Sequence, residues 1–229
     1  MVLQELWELY RAEVFPVRST DDLFNQYRDV DPDLDRPEGH RIRQENLKRY
    51  LESYSKRPTV LVVAEAAGPW GTRFSGVPLT NERSLVQGEL PFTGRQSSLD
   101  EPAVRTGRKT PYSSSTPSIF WEVMAQFYPA FLAWYLVPFY PHVRGNAMKK
   151  RSPTDEEVTK HTGLLKEAIA IAKPKTIIAM GGRVASGVEQ LGVEYEMVHH
   201  PAHDTRQQFP AGMRAIMGKV AREPAGARR

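Results

Sequence analysis

The chain has 229 residues, 40% hydrophobic and 25% charged, which is ordinary for a soluble globular protein and enough for one α/β domain with a sizeable core. It has no cysteine, which excludes disulfides, thiol catalysis and a cysteine-ligated zinc or iron–sulfur site. The net charge of +4 and the pI of about 9.3 suit a polyanion partner, although a solvated basic surface is also consistent. No apolar run approaches the ~20 residues of a membrane span, and the first residues lack a basic signal segment, so a cytoplasmic protein is expected.

The N-terminal part is predicted to be helical up to the first strand of a sheet. Apolar periodicity predicts short helices at 2–14 and 21–29, a longer helix at 40–55 and a strand at 59–65. The strand consists of apolar residues and ends at Glu65, which is followed by the small residues 66–68. A carboxylate at the end of a buried strand is a candidate functional group, although it also fits a strand-end acid that faces water.

The long segment 66–118 is rich in Gly, Pro, Ser and Thr, and a loop of this length is usually functional or disordered. The elements predicted after it are a helix from Ile119 capped by Ser118, a strand at 131–137, a basic loop at 146–153, a helix at 154–172 that opens with a Thr154–Glu157 capping box, a strand at 175–180, a helix at 184–191, a strand at 195–199 and a last helix with Pro210 in its first turn.

Strands and helices therefore alternate along most of the chain. This order predicts an α/β fold, a three-layer α/β/α sandwich around a four-stranded parallel sheet. We expect one domain over 1–229, made of an N-terminal helical segment (1–56), a core (57–222) and a basic tail (223–229).

The predicted strands end at polar or small residues. The four strands lead to Glu65, Tyr135, Gly181-Gly182 and His200. Because the carboxyl ends of parallel strands share one edge of a sheet, we expect a carboxylate, an imidazole and an aromatic ring to converge on one crevice. They would form a general base and an electrophile around an apolar slot. A surface histidine and a tyrosine packed in the core are the structural alternatives.

Segments at these strand ends resemble motifs of the uracil-DNA glycosylase superfamily. In chain order they are Ala64-Glu65-Ala66-Ala67-Gly68, Arg73-Phe74-Ser75-Gly76-Val77-Pro78-Leu79-Thr80, Val137-Pro138-Phe139-Tyr140-Pro141-His142 with Ser152-Pro153-Thr154, and Val198-His199-His200-Pro201-Ala202-His203. The resemblance covers roughly residues 55 to 220. Because the chain has no cysteine, it resembles a branch of the superfamily that has no iron–sulfur cluster.

The resemblance implies hydrolysis of the N-glycosidic bond of a deaminated base, uracil or a related one, flipped out of DNA. Glu65 would orient or deprotonate the attacking water, and neutral His200 would donate a hydrogen bond to the base. The base pocket would be formed by Ala66, Ala67, Gly68, Leu79 and Tyr135. DNA contacts would come from Ser113, Ser114, Gly181, Gly182, Pro201, Ala202, His203 and Arg206. We expect DNA as the partner of a monomer that has no cofactor, metal, iron–sulfur cluster or membrane contact.

Two positions depart from the superfamily pattern. Tyr135 stands where an asparagine usually reads the edge of uracil, and Leu79 stands where a phenylalanine usually stacks on it, although Phe92 in the similar segment 88–94 is an alternative ring. An amide contact to a base edge contributes ~1–3 kcal/mol of discrimination between bases. Without it, we expect a base preference that differs from the selectivity for uracil that the superfamily pattern implies. The alternatives are a damaged-DNA-binding relative with weak or no activity and a nucleotide-processing enzyme. The basic cluster around Lys149 is interpreted as a solvated loop.

Overall fold

The computed structural model describes residues 1–201 and 207–222. The helices in these ranges are α1 (Gln4–Leu9, continued by a π-helical turn, Tyr10–Val14), α2 (Gly39–Glu52), α3 (Thr72–Ser75), α4 (Glu82–Val86), α5 (Ser115–Met124, followed by a 3-10 turn, Ala125–Phe127), α6 (Asp155–Ala172), α7 (Gly182–Glu189) and α8 (Gln208–Arg222). The strands are β1 (Leu23–Phe24), β2 (Val60–Ala66), β3 (Phe131–Val137), β4 (Tyr140–Val143), β5 (Asn146–Lys150), β6 (Thr176–Met180) and β7 (Glu196–Val198).

The predicted four-stranded parallel sheet is confirmed, with the strand order β3-β2-β6-β7. Val60 at the start of β2 pairs with Phe131 on one side and Thr176 on the other. Every residue of β3, and all of β2 except Glu65, is buried, as expected of parallel strands covered on both faces. Helix α6 packs against β3, α7 against β2 and β6, and α8 against β7. One large cluster of buried hydrophobic residues forms the core, and it includes residues from both ends of the described chain, such as Leu3 and Met217.

A second, antiparallel sheet with the order β1-β4-β5 corrects two predictions. The segment 21–29 contains strand β1 rather than a helix, because Leu23 and Phe24 pair with residues of β4. The predicted basic loop 146–153 contains strand β5, which forms a hairpin with β4. The turn between them includes Gly145 at a φ of +75°, a left-handed conformation that favours glycine. Both pairings join segments whose local sequence has no clear strand pattern.

The starts of two helices differ in how well they were predicted. The capping box of α6 is confirmed, since Thr154 Oγ1 accepts from the Glu157 N–H at 3.1 Å and Glu157 Oε2 accepts from the Thr154 N–H at 2.7 Å. Helix α5 begins earlier than predicted, with Ser114 rather than Ser118 as its N-cap residue. Pro117 is accommodated in the first turn, where no intrahelical N–H donor is required.

A buried ion cluster connects the N-terminal segment to the short helix α3. Asp35 Oδ1 lies 3.2 Å from Arg43 Nη1 and 2.8 Å from Arg73 Nη1, and all three side chains are fully buried or nearly so. Burial alone would raise the pKa of Asp35, but the two guanidinium groups outweigh it and lower that pKa. The cluster anchors the loop that follows β2 and therefore the segment that leads into the site.

Candidate functional site

A cavity of about 700 Å³ opens at the carboxyl edge of the parallel sheet. Its walls come from the ends of β2 and β3, the segment after β2, the start of α5, strand β5 and the segment after β7. The lining residues are Ala64, Glu65, Ala66, Gly68, Pro69, Trp70, Gly71, Thr72, Leu79, Arg108, Ser113, Ser114, Ser115, Thr116, Pro117, Ser118, Tyr135, Lys150 and His200. Its size is typical of small-ligand pockets and leaves room for a nucleobase with part of its sugar.

Glu65 is the penultimate residue of β2 and lies on the wall of this cavity. Its side chain is 17% exposed. Oε2 lies 3.6 Å from Lys150 Nζ, and Oε1 lies 3.5 Å from Arg183 Nε. The interpretation of the basic cluster 149–151 as a solvated loop is therefore wrong for Lys150, which comes to the carboxylate because β5 pairs with β4. The neighbouring Arg151 forms an ion pair with Glu157, in which Nη2 lies 2.7 Å from Oε1.

Arg183, at the start of α7, makes further contacts besides the one with Glu65. Its Nη2 donates to the carbonyl oxygen of Pro153 at 2.6 Å and to Asp155 Oδ1 at 2.8 Å. The guanidinium group therefore connects the first turn of α6 to Glu65. Neither Lys150 nor Arg183 was among the predicted site residues, because the sequence shows only that they are basic.

His200 lies on the wall of the same cavity as Glu65, and both also line an adjoining cavity of about 360 Å³. The convergence that the strand ends predict is therefore seen in the structure. Gly181 lies beside His200, and a Cβ atom added to this glycine would be 3.7 Å from the His200 Cβ. The Gly181 N–H donates to the Val198 carbonyl oxygen at 2.8 Å, which holds the turn after β6 against the end of β7.

The Tyr135 side chain is buried and also reaches the cavity, so it is both a core residue and a lining residue. Its hydroxyl lies 2.7 Å from Thr72 Oγ1 and accepts from the Leu79 N–H at 3.1 Å. Thr72 Oγ1 donates its own proton to the Val77 carbonyl oxygen at 2.9 Å, so the Tyr135 proton is directed to Thr72. Because its proton is used in this hydrogen bond, the Tyr135 hydroxyl cannot donate to the edge of a base. Burial also raises the pKa of Tyr135, so the hydroxyl keeps its proton.

Trp70 is an aromatic wall of the cavity that sequence reasoning missed. Its ring lies edge-on to Tyr112, with centroids 5.0 Å apart, and the Arg108 guanidinium lies 4.6 Å from its centroid. Its position directly after Gly68-Pro69, beside the carboxylate motif, was the available indication. Phe92, the alternative stacking ring, packs instead against Tyr50 and other core aromatics and does not line the cavity.

The remaining predicted residues have varied positions. Ala66, Gly68 and Leu79 line the cavity, whereas Ala67 is buried and does not. Ser113 and Ser114 line it at the start of α5. Gly181 and Gly182 line the adjoining cavity, and Pro201 is buried. Ala202, His203 and Arg206 lie outside the described residues, as does the tail 223–229.

Within residues 1–201 and 207–222, no group of three or more histidine or acidic side chains is arranged to hold a metal ion. Over the same ranges, no helix is both long and apolar enough to span a bilayer.

The structure therefore defines a parallel α/β protein with a carboxylate and an imidazole on the wall of one cavity at the sheet edge, where α/β proteins commonly bind ligands. The model of the uracil DNA glycosylase superfamily matches residues 52–216, and the chain belongs to this superfamily, whose members are DNA glycosylases. The crystal structure of wild-type SMUG2 from Pedobacter heparinus is similar, with a TM-score of 0.62 over 96% of this chain and 97% of that chain. Its identity is 12%, so this similarity concerns the fold. No curated protein sequence matches the chain.

Proposed function

We propose that the chain is a DNA glycosylase that hydrolyses the N-glycosidic bond of a deaminated base extruded from DNA. The observation that carries the proposal is that Glu65 and His200 line one cavity large enough for a nucleobase. Superfamily membership supports the reaction class. Extrusion is needed because the glycosidic bond of a stacked base is not accessible to side chains.

In this proposal, Glu65 faces C1′, the anomeric carbon of the extruded nucleotide. Its carboxylate accepts a hydrogen bond from the attacking water and takes the proton as the C1′–N bond breaks. His200, on the same wall, donates a hydrogen bond to the carbonyl oxygen of the departing base, where negative charge develops. The backbone N–H groups after Glu65, in the segment that contains Gly68, are additional donors because small side chains leave them accessible.

The base edge would be read by hydroxyl and backbone groups rather than by an amide. Among the described residues that line the cavity there is no Asn or Gln, and the Tyr135 hydroxyl is already committed to Thr72. The lining residues that carry hydroxyl groups at and just before the start of α5 are Ser113, Ser114, Ser115, Thr116 and Ser118. A tolerant pocket that accepts more than one deaminated base follows from hydroxyl groups, because each can donate or accept.

The same features support a second candidate, a protein that binds damaged DNA with weak or no glycosylase activity. The specific observation is the missing amide together with Leu79 in the place of a stacking ring. Such a protein would extrude and hold a base without discriminating its edge.

A strand-cleavage screen tests the two candidates. Duplexes carrying uracil, hypoxanthine, xanthine or mismatched thymine are incubated with the protein and then treated with alkali, which cuts at abasic sites. We expect cleavage of at least one duplex by the wild type. Glu65→Gln should lower the single-turnover rate ~10²–10⁴-fold while DNA binding persists. Glu89→Gln, at an exposed acid away from the cavity, is the matched control.

The double variant Glu65→Gln/His200→Gln defines the background of this assay. If the wild type produces no more abasic sites than this variant from any of the four duplexes, the glycosylase is rejected and the binding protein is supported.

A further inference from the structure

Lys150 has no role in the proposed base release. It is the last residue of β5, and in the ranges that the structure describes no other lysine lines the cavity. Its side chain is partly open to solvent, and its Nζ lies 3.6 Å from Glu65 Oε2. Lys149 does not line the cavity, as expected because consecutive side chains of a strand point to opposite faces.

Lys150, Glu65 and Arg183 have the arrangement of a nucleophile, a base and a group that orients the base. The amine faces one carboxylate oxygen, and Arg183 Nε lies 3.5 Å from the other. Arg183 is itself fixed by Pro153 and Asp155. A lysine amine attacks only after it has lost a proton, and Glu65 is the acceptor next to it. Distances between catalytic partners are often longer before substrate binds.

We propose that Lys150 is the nucleophile of a second activity, an abasic-site lyase that acts on the sugar aldehyde left after a base is lost. The inference rests on the proposed function in one respect, namely that Glu65 faces C1′ of the extruded nucleotide. A group 3.6 Å from that carboxylate is then close to the same carbon. The flexible four-carbon side chain of lysine can cover the remaining distance.

The reaction begins with the ring-opened sugar, whose C1′ is an aldehyde carbon. Glu65 accepts a proton from the ammonium group, and the Nζ lone pair forms a bond to C1′ while the carbonyl π electrons move to oxygen and pick up a proton. Loss of water from this adduct gives a protonated imine between Nζ and C1′. Glu65 gives its proton to the oxygen that leaves as this water and is then a carboxylate again. It accepts the proton that leaves C2′, a C2′=C3′ double bond forms, and the C3′–O bond breaks with its electron pair on the departing phosphate. Water releases the lysine by hydrolysing the imine.

Trapping with borohydride on a preformed abasic site tests this inference independently of base release. The hydride reduces the imine to a stable secondary amine, which links the protein to DNA and is seen as a slower band in a denaturing gel. The substrate is a duplex in which a natural, aldehydic abasic site is made before the protein is added. A duplex with a tetrahydrofuran site, which lacks the aldehyde, is the substrate control.

We expect the wild type and the strand neighbour control Lys149→Ala to trap equally well. Lys150→Ala and Lys150→Arg should fall to the level seen with the tetrahydrofuran duplex. The arginine variant is decisive, because a residue that only attracts a phosphate would keep that function as arginine. The inference is overturned if the wild type does not trap, or if Lys150→Arg traps as well as the wild type.

The two proposals fail separately in these assays. Trapping by a protein that releases none of the four bases would support the lyase and reject the glycosylase. Base release without trapping would support the glycosylase and reject the lyase.

Discussion

The hydroxyl of Tyr135 accepts a hydrogen bond of 3.1 Å from the backbone N–H of Leu79, whose φ of +52° places it in the left-handed region. A bulky residue in this conformation is strained and persists only where its surroundings hold it. Tyr135 on β3 therefore stabilises the segment around Leu79. The two residues that the sequence resemblance predicts to depart from the superfamily pattern are therefore in direct contact.

Removing this hydroxyl should destabilise the protein. Tyr135→Phe leaves the buried Leu79 N–H without its acceptor, and we expect a loss of about 1–3 kcal/mol in the free energy of unfolding. Urea denaturation measures it. The matched control is Tyr140→Phe, since the buried Tyr140 hydroxyl has no hydrogen-bond partner in the described part of the chain. Equal stability of the two variants would contradict this role of Tyr135.

Trp70 is expected to stack on the extruded base. Stacking of a base on an aromatic side chain contributes about 1–3 kcal/mol, so Trp70→Ala should weaken binding of a duplex with a target base by this amount. Trp70→Phe should retain most of the affinity. Fluorescence anisotropy with paired duplexes that carry either a target base or an abasic analogue measures the effect. An equal loss of affinity for both duplexes would mean that Trp70 does not contact the base.

The Arg73–Asp35 ion pair should be important for stability. Arg73→Met leaves the buried Asp35 carboxylate with one guanidinium partner, Arg43, and the Asp31 N–H, and breaking a buried pair typically costs about 3–5 kcal/mol. The control Arg11→Met removes the exposed pair with Glu8, for which about 0–1 kcal/mol is expected. Urea denaturation at neutral pH compares the two variants. A loss no larger than that of the control would show that the cluster contributes little.

His161 on α6 should make stability depend on pH. Burial, followed by the nearby Lys160, lowers its pKa from 6.5 to about 4. Between these values the unfolded chain binds a proton that the folded protein does not, so the free energy of unfolding falls as the pH falls from about 6.5 towards 4. The loss should approach about 3 kcal/mol.

His161→Gln removes the titrating group and should flatten this part of the pH profile of urea denaturation, which is the measurement. A wild type and a variant that lose stability in parallel over this interval would contradict the assignment.

Three strands of the parallel sheet could be predicted from the sequence because β2, β3 and β6 are largely apolar runs, whereas β7 is short, contains Glu196 and was predicted from its position between a helix and His199-His200-Pro201. The start of α6 could be predicted because both members of its capping box are local. The β1-β4-β5 sheet could not, since its polar hairpin and the two-residue strand β1 acquire strand geometry only by pairing with each other.

Part of the site could be predicted because some of its residues directly follow the predicted strands. Strand ends gave the positions of Glu65 and His200, which tertiary structure then brings to one cavity. Lys150, Arg183 and Trp70 depend on packing between distant segments. The segment 66–118 also looks unstructured in sequence, but buried Glu82 accepts hydrogen bonds from the N–H groups of Ser97, Ser98 and Tyr112 and so organises it.

The pairing of β1 with β4 has a practical consequence for protein engineering. The segment that matches the superfamily begins at residue 52, whereas Leu23 and Phe24 pair with the hairpin that carries Lys150. A fragment trimmed to the recognisable homology region would leave the edge of that hairpin open and strip Asp35 away from Arg73. Residues 1–51 therefore support the hairpin at the wall of the cavity, and fragments for expression should retain them.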